Sequence, residues 1–153
     1  MSDLSMVEAG LDEIVGSIAF AVFGSESQRT SSRELFSRDR SITGVVTMAG
    51  GWNGAVSITC SPGLAMFAAG AMFGRNARAL TPEDVHDAIG ELANMVGGNL
   101  KSLVNGDDPL CVLSMPIVVD GEIAVPGTEV QRNWFDLAGE WMCVTVFEEQ
   151  KLS

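Results

Sequence analysis

The sequence predicts an α+β fold in which an antiparallel sheet of β-hairpins packs against long helices. Apolar residues recur at helical spacing in some segments, and pairs of alternating, strand-like segments are joined by turn residues. Helices and hairpins are mixed without the strand–helix–strand rhythm of a parallel sheet. Apolar residues make up 46% of the 153 residues and are spread along the whole chain, so we expect a single domain, 1–153, with one core.

The first forty residues predict a helix and a loop. Within residues 5–23 the apolar side chains recur every three or four positions and form one helix face: Val7, Leu11, Ile14, Ile18 and Val22. The polar segment that follows, 25–40, has a composition typical of a mobile loop.

Residues 41–73 predict a β-hairpin followed by a helix. The second arm of the hairpin alternates between an apolar face with Val56 and Ile58 and a smaller face with Ser57 and Thr59. The turn between the arms, 50–54, is rich in residues that tolerate positive φ. The run 62–73 is apolar nearly all round, so we expect a buried helix with Gly74 as its C-terminal cap.

The next helix has the clearest start signals in the chain. Thr81 is a good N-cap, Pro82 occupies the first helical position, and the two acidic residues that follow favour the helix N-terminus. We expect this helix to run to about Val104. Beyond it, residues 110–125 predict a strand, an Asp-Gly turn and a short strand, and residues 134–149 predict a second hairpin.

The composition argues against several classes of function. The net charge is −11, from 9 basic and 20 acidic residues, and the basic residues do not cluster, which disfavours binding to nucleic acid or to an anionic membrane. The N-terminus lacks the pattern of a secretory signal and no apolar run is long enough to span a bilayer, so we expect a cytoplasmic protein. Cys60, Cys111 and Cys143 are typical of buried reduced thiols, and with the single histidine, His86, they offer no metal site.

The helix at 81–104 carries the strongest functional pattern. On a helical wheel its apolar residues cover one broad arc, which we expect to pack on the sheet. The opposite face carries a stripe of polar and small residues: Asp87, Glu91, Asn94, Gly98 and Lys101. The small residues Gly90 and Gly97 flank this stripe. Because a glycine in a helix interior costs about 0.8–1 kcal/mol relative to alanine, we expect something to approach this face closely.

A glutamate and an asparagine on one helix face suit a reaction whose other components belong to a partner. A carboxamide donates and accepts hydrogen bonds at once and can hold a water, while a carboxylate can pair with a lysine. Phosphoryl transfer depends mostly on positioning and electrostatics, and an amide can orient the attacking water. The residues alone leave three possibilities open: an enzyme, a binding module, and a structural dimerisation domain with an ordinary solvated helix face.

The pattern Asp87-x-x-x-Glu91-x-x-Asn94, followed by Pro116 within a strand, resembles the CheX/CheC/FliY chemotaxis phosphatases. The hairpin segment 41–62 and the segments ELANMVGGNLKSLV and SMPIVVDG are similar to CheX in particular. The resemblance covers roughly residues 40–148. The chain has one Glu-x-x-Asn motif, as in CheX, whereas CheC-type members usually carry two.

The resemblance implies a phosphatase that hydrolyses the aspartyl phosphate of a CheY-type response regulator. Asn94 would orient the attacking water in the receiver's active site, and Glu91 would pair with the receiver's lysine. The resemblance implies no cofactor of the chain's own, because the receiver supplies Mg²⁺.

The remaining motif residues have supporting roles in this interpretation. Asp87 would support docking of the partner, together with Gly98 and Lys101 of the same stripe, and Pro116 would be structural because proline interrupts a strand ladder. The resemblance also implies a homodimer. The alternative is a non-catalytic module of the same fold that docks on a receiver or another signalling partner.

Overall fold

The helices of the protein pack on one face of a seven-stranded antiparallel sheet in the computed structural model, which describes residues 5–30, 40–106 and 108–149. The helices are α1 (Ser5–Ile18), α2 (Pro62–Phe73) and α3 (Pro82–Asn105). The strands are β1 (Ser27–Thr30), β2 (Ile42–Ala49), β3 (Gly54–Cys60), β4 (Val112–Leu113), β5 (Ile117–Asp120), β6 (Thr128–Leu137) and β7 (Glu140–Glu148). The strand order is β1-β6-β7-β3-β2, and both β4 and β5 pair with the outer edge of β2. The predicted α+β class is confirmed.

The N-terminal helix is confirmed, but it changes character near its end. After α1 the backbone continues as one π-helical turn, Ala19–Phe23, which ends at Gly24 with a φ of 62°. This wider turn buries both Ala19 and Phe23, and the ring of Phe23 lies 5.3 Å from the ring of Phe67 in α2. The π-helical turn thereby joins the first helix to the second.

The segment predicted as a mobile loop, 25–40, contains a strand. β1 pairs with β6, with Ser27 opposite Leu137 and Thr30 opposite Trp134. The prediction of a loop is therefore wrong for Ser27–Thr30; the part at 31–39 lies outside the described residues.

A polar cluster holds β1 and α1 together over β6. Arg29 of β1 forms ion pairs with Glu8 at 2.7 Å and with Asp12 at 3.5 Å, both on α1. Asn133 of β6 is fully buried, and its amide nitrogen lies 3.1 Å from both the Glu8 carbonyl oxygen and an Asp12 carboxylate oxygen, to which it donates. Because β1 has no apolar side chain, these contacts supply the attachment that hydrophobic burial provides elsewhere.

The hairpin of β2 and β3 is confirmed, with Val46 opposite Val56. Its turn differs from the prediction, because none of the residues 50–54 has a positive φ. Two of the turn glycines are instead required by close approach. A Cβ atom at Gly50 would lie 2.9 Å from the Cβ of Cys111, and one at Gly54 would overlap the carbonyl oxygen of Phe147.

The apolar helix α2 has the predicted bounds and is capped by Gly74, whose φ is 64°. It is not buried all round, as the sequence suggested. Its buried residues form one side only: Leu64, Ala65, Ala68 and Ala69. Met66, Phe67 and Phe73 are 41–46% exposed. The helix packs sideways against α3 and the π-helical turn, so its outer side has no covering element among the described residues.

The C-terminal part of the chain is confirmed with three differences, the first being that the strand expected before Gly121 is divided into β4 and β5. The last hairpin, β6 and β7, begins at Thr128 rather than near Trp134. The short strand expected after Gly121 is absent from 122–125. The Gly121 N–H donates to the Ser41 carbonyl oxygen at 2.7 Å, and Glu122 and Ile123 then line a pocket with Thr43 and Trp134, so the chain does not turn back along β5. The three cysteines are buried and free of disulfides, as predicted.

Candidate functional site

The start of α3 is fixed by a capping box. The Thr81 hydroxyl accepts a hydrogen bond from the Asp84 backbone N–H at 3.1 Å, and the Asp84 carboxylate accepts one from the Thr81 backbone N–H at 3.0 Å. Arg75, just beyond α2, pairs with the same carboxylate at 3.2 Å. The hydrogen bond from the Thr81 backbone is the main reason that the pKa of Asp84 lies below its usual value. The predicted start signals therefore act as expected.

The apolar arc of α3 seats the helix closely on the sheet. Its buried residues include Ile89, Leu92, Ala93, Val96 and Leu100. They meet β2 at Gly44, where an added Cβ atom would lie 3.1 Å from Ile89 Cγ2 and 3.3 Å from Ala93 Cβ. Because this glycine lets the helix approach the strand backbone, the buried side of α3 is tightly held and the opposite side is presented from a rigid support.

Two of the glycines beside the stripe contact the protein itself. A Cβ atom at Gly97 would lie 2.6 Å from Val46 Cγ2 and 3.2 Å from Leu113 Cδ1, and one at Gly90 would lie 3.3 Å from Pro116 Cγ. The close approach expected at these positions is therefore made by the protein's own chain, at β2, β4 and the break between β4 and β5. At Gly98 an added Cβ would meet nothing within 4 Å, so this glycine alone of the three faces open space.

The stripe on the outer face of α3 is accessible and unpaired. Asp87 and Glu91 are exposed, and Asn94 and Lys101 are half-buried. Within the described part of the chain these four side chains have no hydrogen bond or ion pair. Asn99, on another side of the same helix, donates its amide hydrogen to the Met95 carbonyl oxygen at 2.7 Å. The amide of Asn94 is free of such a bond and is available to another molecule.

The helix geometry brings the two candidate catalytic residues together. Glu91 and Asn94 are three residues apart, which corresponds to about 4.5 Å along the helix axis and to the same side of the helix. A carboxylate and a carboxamide therefore project side by side, close enough to enter one partner pocket together. Gly98 follows Asn94 by one further turn on this face and leaves space above it.

Pro116 lies in a break between the two short edge strands. β4 pairs with β2 at Met48 and Ala49, and pairing resumes with β5 at Ile117. Proline has no N–H to donate, so the ladder cannot be continuous at this position. The side chain of Pro116 instead lies against Gly90 of α3, the residue before Glu91.

The histidine near the start of α3 is part of a link to the sheet. His86 Nε2 lies 2.9 Å from Asp120 Oδ1, at the end of β5. Within the described ranges there is no group of three or more His, Cys, Asp or Glu side chains that could hold a metal ion. In the same ranges no helix combines the length and the apolar character that crossing a membrane requires.

Sequence reasoning did not single out Met115, the residue before Pro116 in the break between β4 and β5. It is 86% exposed, the highest value among the exposed large hydrophobic residues of the described chain. The following proline is the sequence signal that could have indicated this residue. A residue before proline is restricted in its backbone, and the proline interrupts the hydrogen bonding of the strand at that point.

Comparison with known proteins agrees with this architecture. The family model described as "Chemotaxis phosphatase CheX" matches residues 42–129, more than half of the chain. A search of curated protein sequences gave no significant match.

Solved structures match over nearly the whole chain. The crystal structure of the chemotaxis protein CheX from Vibrio vulnificus has a TM-score of 0.72 at 23% identity, with 92% of this chain and 95% of that chain covered. A putative chemotaxis protein from Desulfovibrio vulgaris Hildenborough has a TM-score of 0.69 at 18% identity, with 92% and 95% covered. The CheX–CheY–BeF₃–Mg²⁺ complex from Borrelia burgdorferi matches with a TM-score of 0.65 at 16% identity, with 93% and 97% covered. At these identities the likeness establishes the fold.

Proposed function

The chain belongs to the CheX family of chemotaxis phosphatases, and on that premise we propose that it accelerates hydrolysis of the aspartyl phosphate on a CheY-type response regulator. The observation that carries the proposal is the pair of free side chains, Glu91 and Asn94, on the outer face of α3. They lie within a family match that covers the whole helix. A relative of the same fold has been solved in complex with CheY.

In the proposed reaction Asn94 positions a water molecule for attack on phosphorus. Its side-chain carbonyl oxygen accepts a hydrogen bond from the water and directs the water oxygen towards the phosphoryl group. The water oxygen forms a bond to phosphorus as the phosphorus–oxygen bond to the receiver aspartate breaks. The aspartate leaves as a carboxylate, and both protons of the water remain on the inorganic phosphate. The receiver's own Mg²⁺ stabilises the phosphoryl charge. The role of Asn94 is therefore orientation of the water, which requires a rigid helix and no titratable group.

Glu91 supplies the charge that holds the receiver in register. Its exposed carboxylate would pair with the lysine of the receiver's phosphate site, and Asp87, one turn earlier, extends the acidic surface. Lys101 lies on the same stripe about 10 Å beyond Asn94 along the helix and would meet an acidic group of the partner. The rigid seating of α3 on β2 keeps these groups in a constant arrangement.

The test is the decay of phosphorylated receiver, in the presence of Mg²⁺, with native chain, Asn94→Ala, or Asn99→Ala. Asn99 is a matched control because it is an exposed asparagine on the same helix whose amide already donates to the helix backbone. We expect Asn94→Ala to lose about 100-fold or more in rate with a free energy of unfolding within about 0.5 kcal/mol of native. Asn99→Ala should behave as native.

Two results would contradict the proposal. A large loss of stability in Asn94→Ala with unchanged activity would remove the water-positioning role. Unchanged decay with native chain and every receiver of the same cell would favour the non-catalytic docking module. Glu91→Ala should weaken receiver binding and turnover together, because its loss leaves a receiver lysine without a partner.

A further inference from the structure

The connection between β4 and β5 runs beside the outer face of α3 at the level of Asn94. Leu113 Cδ1 lies 3.2 Å from the Cβ position of Gly97, and Pro116 Cγ lies 3.3 Å from that of Gly90. These glycines are seven residues apart, about 10.5 Å along the helix, and the extended chain from Leu113 to Pro116 covers about 10 Å. The midpoint of the two contacts falls beside Ala93 and Asn94. Ser114 and Met115 therefore lie at the level of the proposed water-positioning residue along the helix axis.

The backbone on both sides of Met115 is fixed. The Ser114 N–H donates to the Thr47 carbonyl oxygen at 2.8 Å, and the Ser114 hydroxyl oxygen accepts from the Thr47 N–H, also at 2.8 Å. On the other side Pro116 is held against Gly90, and the ladder with β2 resumes at Ile117. The side chain of Met115 is nevertheless 86% exposed. The side chain is therefore exposed to solvent from a backbone segment that is fixed on both sides by hydrogen bonds and packing.

Several apolar side chains are exposed along this edge of the sheet. Ile117 and Val112 on the same edge are 59% and 64% exposed, so Met115 has the largest exposed fraction in an apolar border formed by these three side chains. Methionine is flexible and polarisable and is favoured at surfaces that bind other proteins. A partner pocket that admits Asn94 has to come to rest against this border, because the two lie at the same level of the helix.

We propose that Met115 is a docking residue for the receiver. When Asn94 enters the receiver's phosphorylation pocket, Met115 contacts an apolar side chain of the receiver at the border of that pocket. This inference rests on the proposed function, since it takes the receiver as the partner. Met115 contributes binding area at the edge of the contact and does not touch the reacting atoms. Its loss therefore affects KM and not the turnover of the bound complex.

The experiment compares Met115→Ala with Leu110→Ala, a matched control. Leu110 is also exposed, at 79%, but precedes β4 near Cys111, which accepts a hydrogen bond from Asn105 at the far end of α3. We expect Met115→Ala to raise KM for phosphorylated receiver about tenfold with unchanged turnover at saturation. Met115→Leu should restore the native KM, and Leu110→Ala should match native in both values.

A second measurement keeps this inference separate from the proposed function. Binding to a receiver activated with beryllofluoride and Mg²⁺ needs no hydrolysis, and we expect Met115→Ala to bind about tenfold more weakly. Weaker binding without any accelerated hydrolysis by native chain would support the docking residue and overturn the phosphatase. Accelerated hydrolysis with equal KM in native and Met115→Ala would do the reverse. Loss of a dimer in sedimentation, with unchanged receiver affinity, would assign Met115 to a contact between copies and overturn the inference.

Discussion

Replacing Gly98 by alanine is expected to increase stability and decrease activity. An added Cβ at this position meets nothing within 4 Å, so the substitution introduces no clash. Alanine is favoured over glycine in a helix interior by about 0.8–1 kcal/mol. For a domain of 153 residues this corresponds to a rise of about 3 °C in Tm.

The activity should change in the opposite direction. Gly98 follows Asn94 by one helical turn on the face that the receiver is proposed to cover. A methyl group there would hold the receiver away from Asn94, and a displacement on the order of 1 Å is enough to reduce kcat/KM by about tenfold or more. Thermal unfolding followed by tryptophan fluorescence and the decay of phosphorylated receiver measure the two effects on the same preparation.

The neighbouring glycine provides the control for this experiment. In Gly97→Ala the new methyl would meet Val46 Cγ2 at 2.6 Å and Leu113 Cδ1 at 3.2 Å. The strain of overpacking exceeds the gain in helix propensity, so we expect a net loss on the order of 1 kcal/mol. If Gly98→Ala were no more stable than native, the space above Gly98 would be occupied. If it were more stable and equally active at low receiver concentration, Gly98 would have no part in docking.

Three further predictions concern the scaffold. Asn133→Ala should lower the free energy of unfolding in urea by about 2–3 kcal/mol, because buried polar groups lose their partner; a loss below about 0.5 kcal/mol would contradict this. The folded pKa of Asp84 is depressed, so its contribution is fully present above the unfolded pKa of about 3.9 and is lost as pH falls through the folded value. The stability difference between native and Asp84→Asn should therefore shrink in acid, and a constant difference would count against the capping box. Burial, with the nearby Glu140 carboxylate, raises the pKa of the Cys60 thiol to about 12. Native protein at pH 8 should therefore resist alkylation at Cys60 until the protein unfolds. Modification of Cys60 at a rate independent of unfolding would refute its burial.

Local signals in the sequence were sufficient to predict α3 and its two faces. Thr81 and Pro82 define the start of a helix through contacts within one turn, and periodicity alone separates the buried arc from the stripe. The hairpin of β2 and β3 and that of β6 and β7 were predictable for the same reason, since each strand lies next to its partner in the chain. These features depend on interactions between residues that are close in sequence.

The errors concern interactions between distant segments. The sequence predicts a loop at β1 because its partner, β6, lies about 100 residues further on and its attachment is polar. The sequence did not show what approaches the glycines at 90 and 97, because a glycine pattern does not reveal which surface lies against it. The approaching side chains are Val46, Leu113 and Pro116 of the protein itself. The outer side of α2 was expected to be buried because an apolar sequence does not show whether another element covers it.

The position of β7 has a consequence for the order of folding. This strand, the last of the described strands, lies in the middle of the sheet, with Val56 of β3 opposite Val146 on one side and Phe135 of β6 opposite Met142 on the other. During synthesis the sheet therefore consists of two separate parts, β1 with β6 and β3 with β2, β4 and β5, until residue 148 has left the ribosome. Pairing of β7 with β3, about 90 residues earlier in the chain, is slow. Until it occurs, the edge of β3 that will pair with β7 is open to other chains. A truncation that removes β7 would thus divide the sheet in two instead of shortening one edge.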